Sequence, residues 1–185
     1  MEERIQEIIQ ESLELHRQFH TLVPDIRRAA QIMRDCIRGG NKIMFAGNGG
    51  SAADAQHLAA ELVNRFLKER SPMAGLALTT DTSIMTAIGN DYSFEDIFSK
   101  QVLALGKKGD VFFGISTSGN SRNILKAIEA AKAMGITTIG LTGKGGGIIA
   151  DKVDYLLAVP TTLTPRIQEV HILIGHILCE LIESA

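Results

Sequence analysis

The sequence predicts an α/β protein: a three-layer sandwich with a five-stranded parallel sheet flanked by helices, preceded by an N-terminal helical hairpin. Three observations carry that prediction. From Lys42 onward, short apolar runs alternate with helical stretches, which is the pattern of βα units. The runs are almost continuously apolar, as strands covered on both faces require. The chain has 185 residues, 45% hydrophobic and 22% charged, which suits one globular domain spanning 1–185 and leaves no room for a second large one.

The hairpin comes first, over residues 1–40. Ile5, Ile8, Ile9, Leu13 and Leu15 recur near helical spacing, and Ile26, Ala29, Ala30, Ile32, Met33 and Ile37 repeat the pattern. Between them, Leu22-Val23-Pro24-Asp25 reads as a stop and a new start, and Gly39-Gly40 ends the second helix. Apolar residues on more than one face of the first helix exceed what a small domain can cover, so this segment predicts packing between subunits. The α/β core occupies 41–185. Its strands are read at Ile43–Ala46, Leu76–Leu78, Val111–Ile115, Thr137–Leu141 and Tyr155–Val159, and a last helix starts after Thr164-Pro165 and runs to about Ser184.

Composition removes several functions. A net charge of -2, from 19 basic and 21 acidic residues, gives no positive field for nucleic acid or anionic lipid. No Trp and only nine Phe or Tyr leave few surfaces on which bases could stack. No apolar run reaches the roughly 20 residues that span a bilayer, and the opening MEERIQEIIQ lacks a cleavable apolar region, so a cytoplasmic protein is expected. Cys36 and Cys179 sit in helical patterns and read as small buried thiols.

Two stretches share one plan. Lys42-IMFA-GNGGS-AADAQHLAAEL and Asp110-VFFGI-STSGNS-RNILKAIEAA each run strand, tight small-residue loop, helix. Such loops lie at the carboxyl ends of strands, where open α/β sheets bind ligands. Ser116-Thr117-Ser118-Gly119-Asn120-Ser121 brings hydroxyls and free N–H groups to a helix N-terminus, an arrangement suited to phosphate, although serines there can also act only as caps. Gly47-Asn48-Gly49-Gly50-Ser51-Ala52 fits a relaxed dinucleotide fingerprint, but no acidic residue follows at the ribose spacing and the βαβ unit does not open the chain. Gly143-Lys144-Gly145-Gly146-Gly147 lacks the glycine spacing and the Ser or Thr of a P-loop.

His57 and Glu61, at i and i+4, share a helix face and read equally as a solvated pair or as ligands of a common ion or substrate. On the last helix, Gln168 and His176 fall about 80° apart around the axis, so they can share a site, whereas His171 points elsewhere and reads as packing or capping. His16 and His20 read as surface or interface residues. Gly89-Asn90-Asp91 reads as a helix cap and turn.

GNGGSAADAQHLAAEL at 47–62, AIGNDYSFEDIFSKQV at 87–102, GISTSGNSRNI at 114–124 and RIQEVHILIGHIL at 166–178 together resemble the sedoheptulose 7-phosphate isomerase (phosphoheptose isomerase) family across nearly the whole chain. The resemblance implies a sugar-isomerase fold, a homotetramer with sites between subunits, and conversion of a ketose phosphate to an aldose phosphate through an enediol(ate). It implies one zinc per subunit, on His57, Glu61, Gln168 and His176. Substrate contacts fall on Asn48, Gly49, Gly50, Glu61, Asn90, Asp91, Ser116, Thr117, Ser118, Ser121 and Gln168, with Glu61 and His176 as the acid and base. The product would feed ADP-heptose and surface glycans such as lipopolysaccharide.

One departure stands out: some members carry Asp where this chain has Pro165, so no proton-handling role carries over there. Non-catalytic relatives of the same fold bind the bacterial replication initiator protein, and others are phosphosugar-binding regulators. The initiator-binding relatives lose the residues matching Glu61 and His176, both of which this chain keeps.

Overall fold

The computed structural model describes residues 1–184. Helix α1 (Glu2–Gln18) passes through a 3-10 turn at Phe19–Leu22 into α2 (Val23–Arg38), whose first turn holds Pro24, a position where a missing N–H costs nothing. After β1 (Ile43–Ala46) come α3 (Gly50–Val63), β2 (Gly75–Ala77), α4 (Thr82–Asp91), a 3-10 turn at Phe94–Asp96 and α5 (Ser99–Leu105). Then follow β3 (Val111–Ser116), α6 (Arg122–Ala133), β4 (Thr137–Thr142), β5 (Tyr155–Ala158) and α7 (Thr164–Glu183). Each predicted strand is present within a residue of its expected bounds.

All five strands are parallel, in the order β2-β1-β3-β4-β5. The period of two explains the layers. Ile43, Phe45, Val111, Phe113 and Ile115 point into one buried cluster with α2, α3 and α7; Met44, Ala46 and Phe112 point into the other with α5 and α6. Phe45 and Phe113 meet at 5.6 Å between ring centroids at the centre of the larger cluster. Burying each ring contributes about 2–3 kcal/mol, so either truncation should loosen the seat of α3 and α7. The amino ends of β1 and β3 are tied by Asp110, fully buried, which accepts from the backbone N–H groups of Lys42 (3.0 Å) and Lys107 (2.9 Å) and pairs with the Lys42 ammonium.

Helix α1 makes its tertiary contact with α7, and α2 packs on α7, β5 and β1. Ile5, Ile8, Ile9 and Leu13 remain 36–54% exposed, so this chain by itself leaves the apolar face of α1 largely uncovered. Helix α4 runs through Gly89 to Asp91 with Tyr92 as its cap, so it ends at the Gly89-Asn90-Asp91 cluster as expected, with the cap one residue beyond. A Cβ at Gly89 would meet nothing and its φ is not positive, so no cap geometry demands glycine there. Cys36 and Cys179 are both free and buried, and burial pushes their thiols up, to about 11 and about 12, leaving them inert.

Candidate active site

Strand order places the site. The chain winds from β1 outward to β2 and from β3 outward to β4 and β5, so the gap between the carboxyl ends of β1 and β3 is the switch point at which open α/β sheets form a crevice. The two loops read from the sequence leave those two ends. Their helices then diverge, α3 onto one face of the sheet and α6 onto the other. The loops are bolted together by a side-chain amide pair: Asn48 Nδ2 donates to Asn123 Oδ1 (3.0 Å) and Asn123 Nδ2 donates to Asn48 Oδ1 (2.8 Å). Asn123 is buried and escaped the sequence reading, because no spacing rule couples residues 75 apart.

The serine loop is more than a cap. Ser121 occupies the N-cap of α6 yet makes no capping hydrogen bond; its hydroxyl instead pairs with that of Ser116 at 2.9 Å. Ser118 Oγ accepts from the Asn120 N–H at 3.1 Å. Gly119 takes φ +66°, and a Cβ there would lie 2.0 Å from the Gly146 carbonyl oxygen, so the glycine-rich 143–147 segment backs this loop at backbone-to-backbone distance. That packing explains glycines which sequence reasoning could only exclude from a P-loop. Hydroxyls and a helix start whose N-cap side chain leaves the first N–H groups free converge here, with only the Ile124 N–H taken, by Asn123 Oδ1, an arrangement suited to anion binding.

Helices α3 and α7 carry the remaining groups. They touch where Gly175 faces Leu58: a Cβ on Gly175 would stand 2.5 Å from Leu58 Cδ2. The residues next in sequence are thereby brought together, with His57 Nε2 and His176 Nε2 2.9 Å apart. Glu61 Oε1 lies 3.4 Å from His57 Nε2. Toward the start of α3, a Cβ on Gly50 would fall 2.3 Å from Gln168 Nε2, so the Gln168 amide rests on the first turn of the helix that the glycine loop opens. His57, Glu61, Gln168 and His176 thus line one seam. His171 turns away into the core and hydrogen-bonds the Thr142 carbonyl at 3.1 Å, and burial lowers its pKa to about 4.

The seam suits a metal in the kind of its donors: two imidazole nitrogens, a carboxylate and an amide oxygen are zinc-compatible. Three of these donors meet at His57 Nε2, 2.9 Å from His176 Nε2 and 3.4 Å from Glu61 Oε1, whereas the Gln168 amide lies at Gly50, two turns nearer the start of α3. The described residues nevertheless contain no group of three or more His, Cys, Asp or Glu gathered into a metal cluster, and the two imidazoles share a hydrogen bond. One turn before His57, Asp54 has a buried Oδ2 without a hydrogen-bond partner; burial raises its pKa, opposed by the nearby His57.

Asn90 and Asp91 end α4, both exposed, and their side chains share a 2.8 Å hydrogen bond. Among the described residues no hydrogen bond or ion pair joins them to the two loops. Pro165 sits in the first turn of α7 and has no proton to move.

A parallel sheet of this order with loops at the β1/β3 switch point is shared by several doubly wound α/β folds, and the sequence profile of the SIS domain, which matches residues 8–143, singles out the sugar-isomerase class among them. The chain is 54% identical to a phosphoheptose isomerase of Rhodospirillum rubrum over 185 residues, covering 100% of this chain and 98% of that one. The solved structure of phosphoheptose isomerase GmhA from Neisseria gonorrhoeae superposes with a TM-score of 0.95 at 48% identity, covering 100% of this chain and 99% of that one. A phosphoheptose isomerase from Francisella tularensis gives 0.96 at 39% identity over 99% and 98%. This chain belongs to the SIS domain family and, within it, to the phosphoheptose isomerases.

Proposed function

We propose that this chain is an aldose–ketose isomerase that converts sedoheptulose 7-phosphate to D-glycero-D-manno-heptose 7-phosphate. The observation that carries the reading is that His57, Glu61 and His176 meet on the α3–α7 seam, with Gln168 on the same seam at Gly50, where the first switch-point loop enters α3. The 54% identity to a phosphoheptose isomerase along the whole chain supports it.

The chemistry moves a proton between C1 and C2 through an enediol(ate), so it needs a base at carbon and a group that shuttles the hydroxyl proton. In this reading the Ser116–Ser121 loop, with Thr117 and Ser118, holds the terminal phosphate on the start of α6, and Asn48, Gly49 and Gly50 present backbone to the sugar. Anchoring the far end turns binding energy into orientation of the reacting carbons. The Glu61 carboxylate takes the proton from carbon, and the His176 imidazole transfers the hydroxyl proton. Asn90 and Asp91 complete the sugar contacts from α4. A zinc held by His57, Glu61, Gln168 and His176 would supply electrostatic stabilisation of the developing oxyanion.

The exposed apolar face of α1 supports burial against further copies of the chain, as a homotetramer with sites between subunits. No helix among the described residues is long and apolar enough to cross a membrane. We place the enzyme in the cytoplasm, with its product feeding ADP-heptose and surface glycan synthesis, lipopolysaccharide core included. Incubating zinc-replete protein with sedoheptulose 7-phosphate and resolving the products by NMR tests the reading; absence of any heptose aldose phosphate sinks it.

A further inference from the structure

The segment between α3 and β2 is organised around one carboxylate. Glu183, buried at the end of α7, accepts the backbone N–H groups of Phe66 (2.9 Å), Leu67 (2.7 Å) and Lys68 (2.8 Å) and pairs with Arg70 Nε at 3.2 Å. Arg70 in turn donates to the carbonyl oxygens of Glu61 (2.7 Å) and Leu62 (2.9 Å), and its side chain is 12% exposed against 1% for that of Glu183. Burial works to raise the Glu183 carboxyl, and the three N–H groups together with Arg70 outweigh it, holding it below the usual carboxylate range. A carboxylate this well satisfied is costly to disturb.

The arrangement does more than close a loop. One end of the Arg70–Glu183 pair holds the backbone of Glu61, and the other is two turns of α7 beyond His176. The N–H that Glu183 fixes first is that of Phe66, whose ring lies stacked on the His176 imidazole, with centroids 5.4 Å apart and 28° between planes. His176 also meets His57 in an edge contact, at 5.1 Å between ring centroids and 65°. His176 is therefore held by two rings, one stacked and one edge-on.

We propose that Phe66, seated by the Arg70–Glu183 pair, is a positioning residue that fixes the His176 ring in its working orientation. This deepens the isomerase reading and rests on it for its kinetic test. Phe66→Leu keeps apolar bulk and removes the flat ring. Its kcat should fall about tenfold or more, the usual range for a group that orients an active-site histidine, with KM within twofold of the parent. Phe66→Tyr keeps the ring and should recover kcat to within threefold. Glu183→Gln places an NH2 among donors, so it should unseat Phe66 and reproduce the same kcat-weighted loss. Phe66→Leu with kcat within twofold of the parent overturns the proposal, as does a loss that Phe66→Tyr fails to rescue.

A second readout needs no turnover. In protein labelled at histidine Cε1, the His176 resonance is shielded by the stacked ring and should move downfield in Phe66→Leu while the His16, His20 and His171 resonances stay in place. An unmoved His176 resonance overturns the stacking. An inactive parent strikes the isomerase reading alone, and the resonance still decides the positioning.

Discussion

Replacing Gly175 with Ala should damage catalysis far more than it damages the fold. The new Cβ would lie 2.5 Å from Leu58 Cδ2 and 3.0 Å from Cδ1. Carbon atoms rest about 3.5–4.0 Å apart and Leu58 is 2% exposed with no solvent to move into, so the expected relief is a separation of α3 and α7 by up to about 1 Å, shared with a shift of the Leu58 methyls. Overpacking of this kind costs about 1–3 kcal/mol, and Ala in place of Gly returns about 1 kcal/mol of helix propensity. The net loss of about 0–2 kcal/mol lowers Tm by a few degrees for a chain of this length. The same displacement opens the 2.9 Å His57–His176 contact, and a misplacement of about 1 Å in a reacting group costs about 100-fold. Melting curves and kcat measured on one preparation give both numbers. Adding Leu58→Val removes the clashing methyl and should restore most of kcat. A Gly175→Ala protein with kcat within twofold of the parent would refute the claim that this crossing sets the seam.

Other outcomes follow from the same geometry. Glu61→Gln should abolish turnover with zinc saturating, since an amide cannot take a proton from carbon at neutral pH; elemental analysis beside kcat separates lost metal from lost base, and near-normal turnover removes Glu61 from that role. Chelation of the parent should lower kcat and leave its sedimentation profile and Tm nearly unchanged. Ser121→Ala deletes one half of the Ser116–Ser121 hydroxyl pair and should raise KM by a factor equivalent to about 1–3 kcal/mol with kcat little altered, whereas unchanged KM removes Ser121 from phosphate binding. His171 has its pKa depressed from 6.5 to about 4, so the unfolded state binds its proton first; the stability it contributes is complete above about pH 6.5 and is lost as pH falls toward 4, about 3 kcal/mol in all. Urea titrations between pH 6.5 and 4.5, above the range of the carboxylates, should show that slope in the parent and a flatter one in His171→Gln.

What the sequence disclosed was what repeats or alternates. The apolar runs at 43–46 and 111–115 gave strands because burial on both faces leaves no polar positions to blur them, and helical spacing placed Gln168 and His176 on one side of α7 with His171 on another. Contacts between distant segments carried no such signal. Asn48 and Asn123 pair across the switch point, Arg70 reaches back to Glu61, and Phe66 covers His176, and none of these follows from periodicity because each depends on how α3, α6 and α7 are set on the sheet.

Proton transfer between C1 and C2 of a heptose phosphate is the step this seam is proposed to perform. Its most direct test is the reaction in D2O with sedoheptulose 7-phosphate, followed by NMR of the carbon-bound hydrogens. An aldose heptose 7-phosphate carrying solvent deuterium at C2 should form with the parent and not with Glu61→Gln. Unchanged ketose after prolonged incubation with the zinc-replete parent, or equal deuterium incorporation by Glu61→Gln, would contradict it.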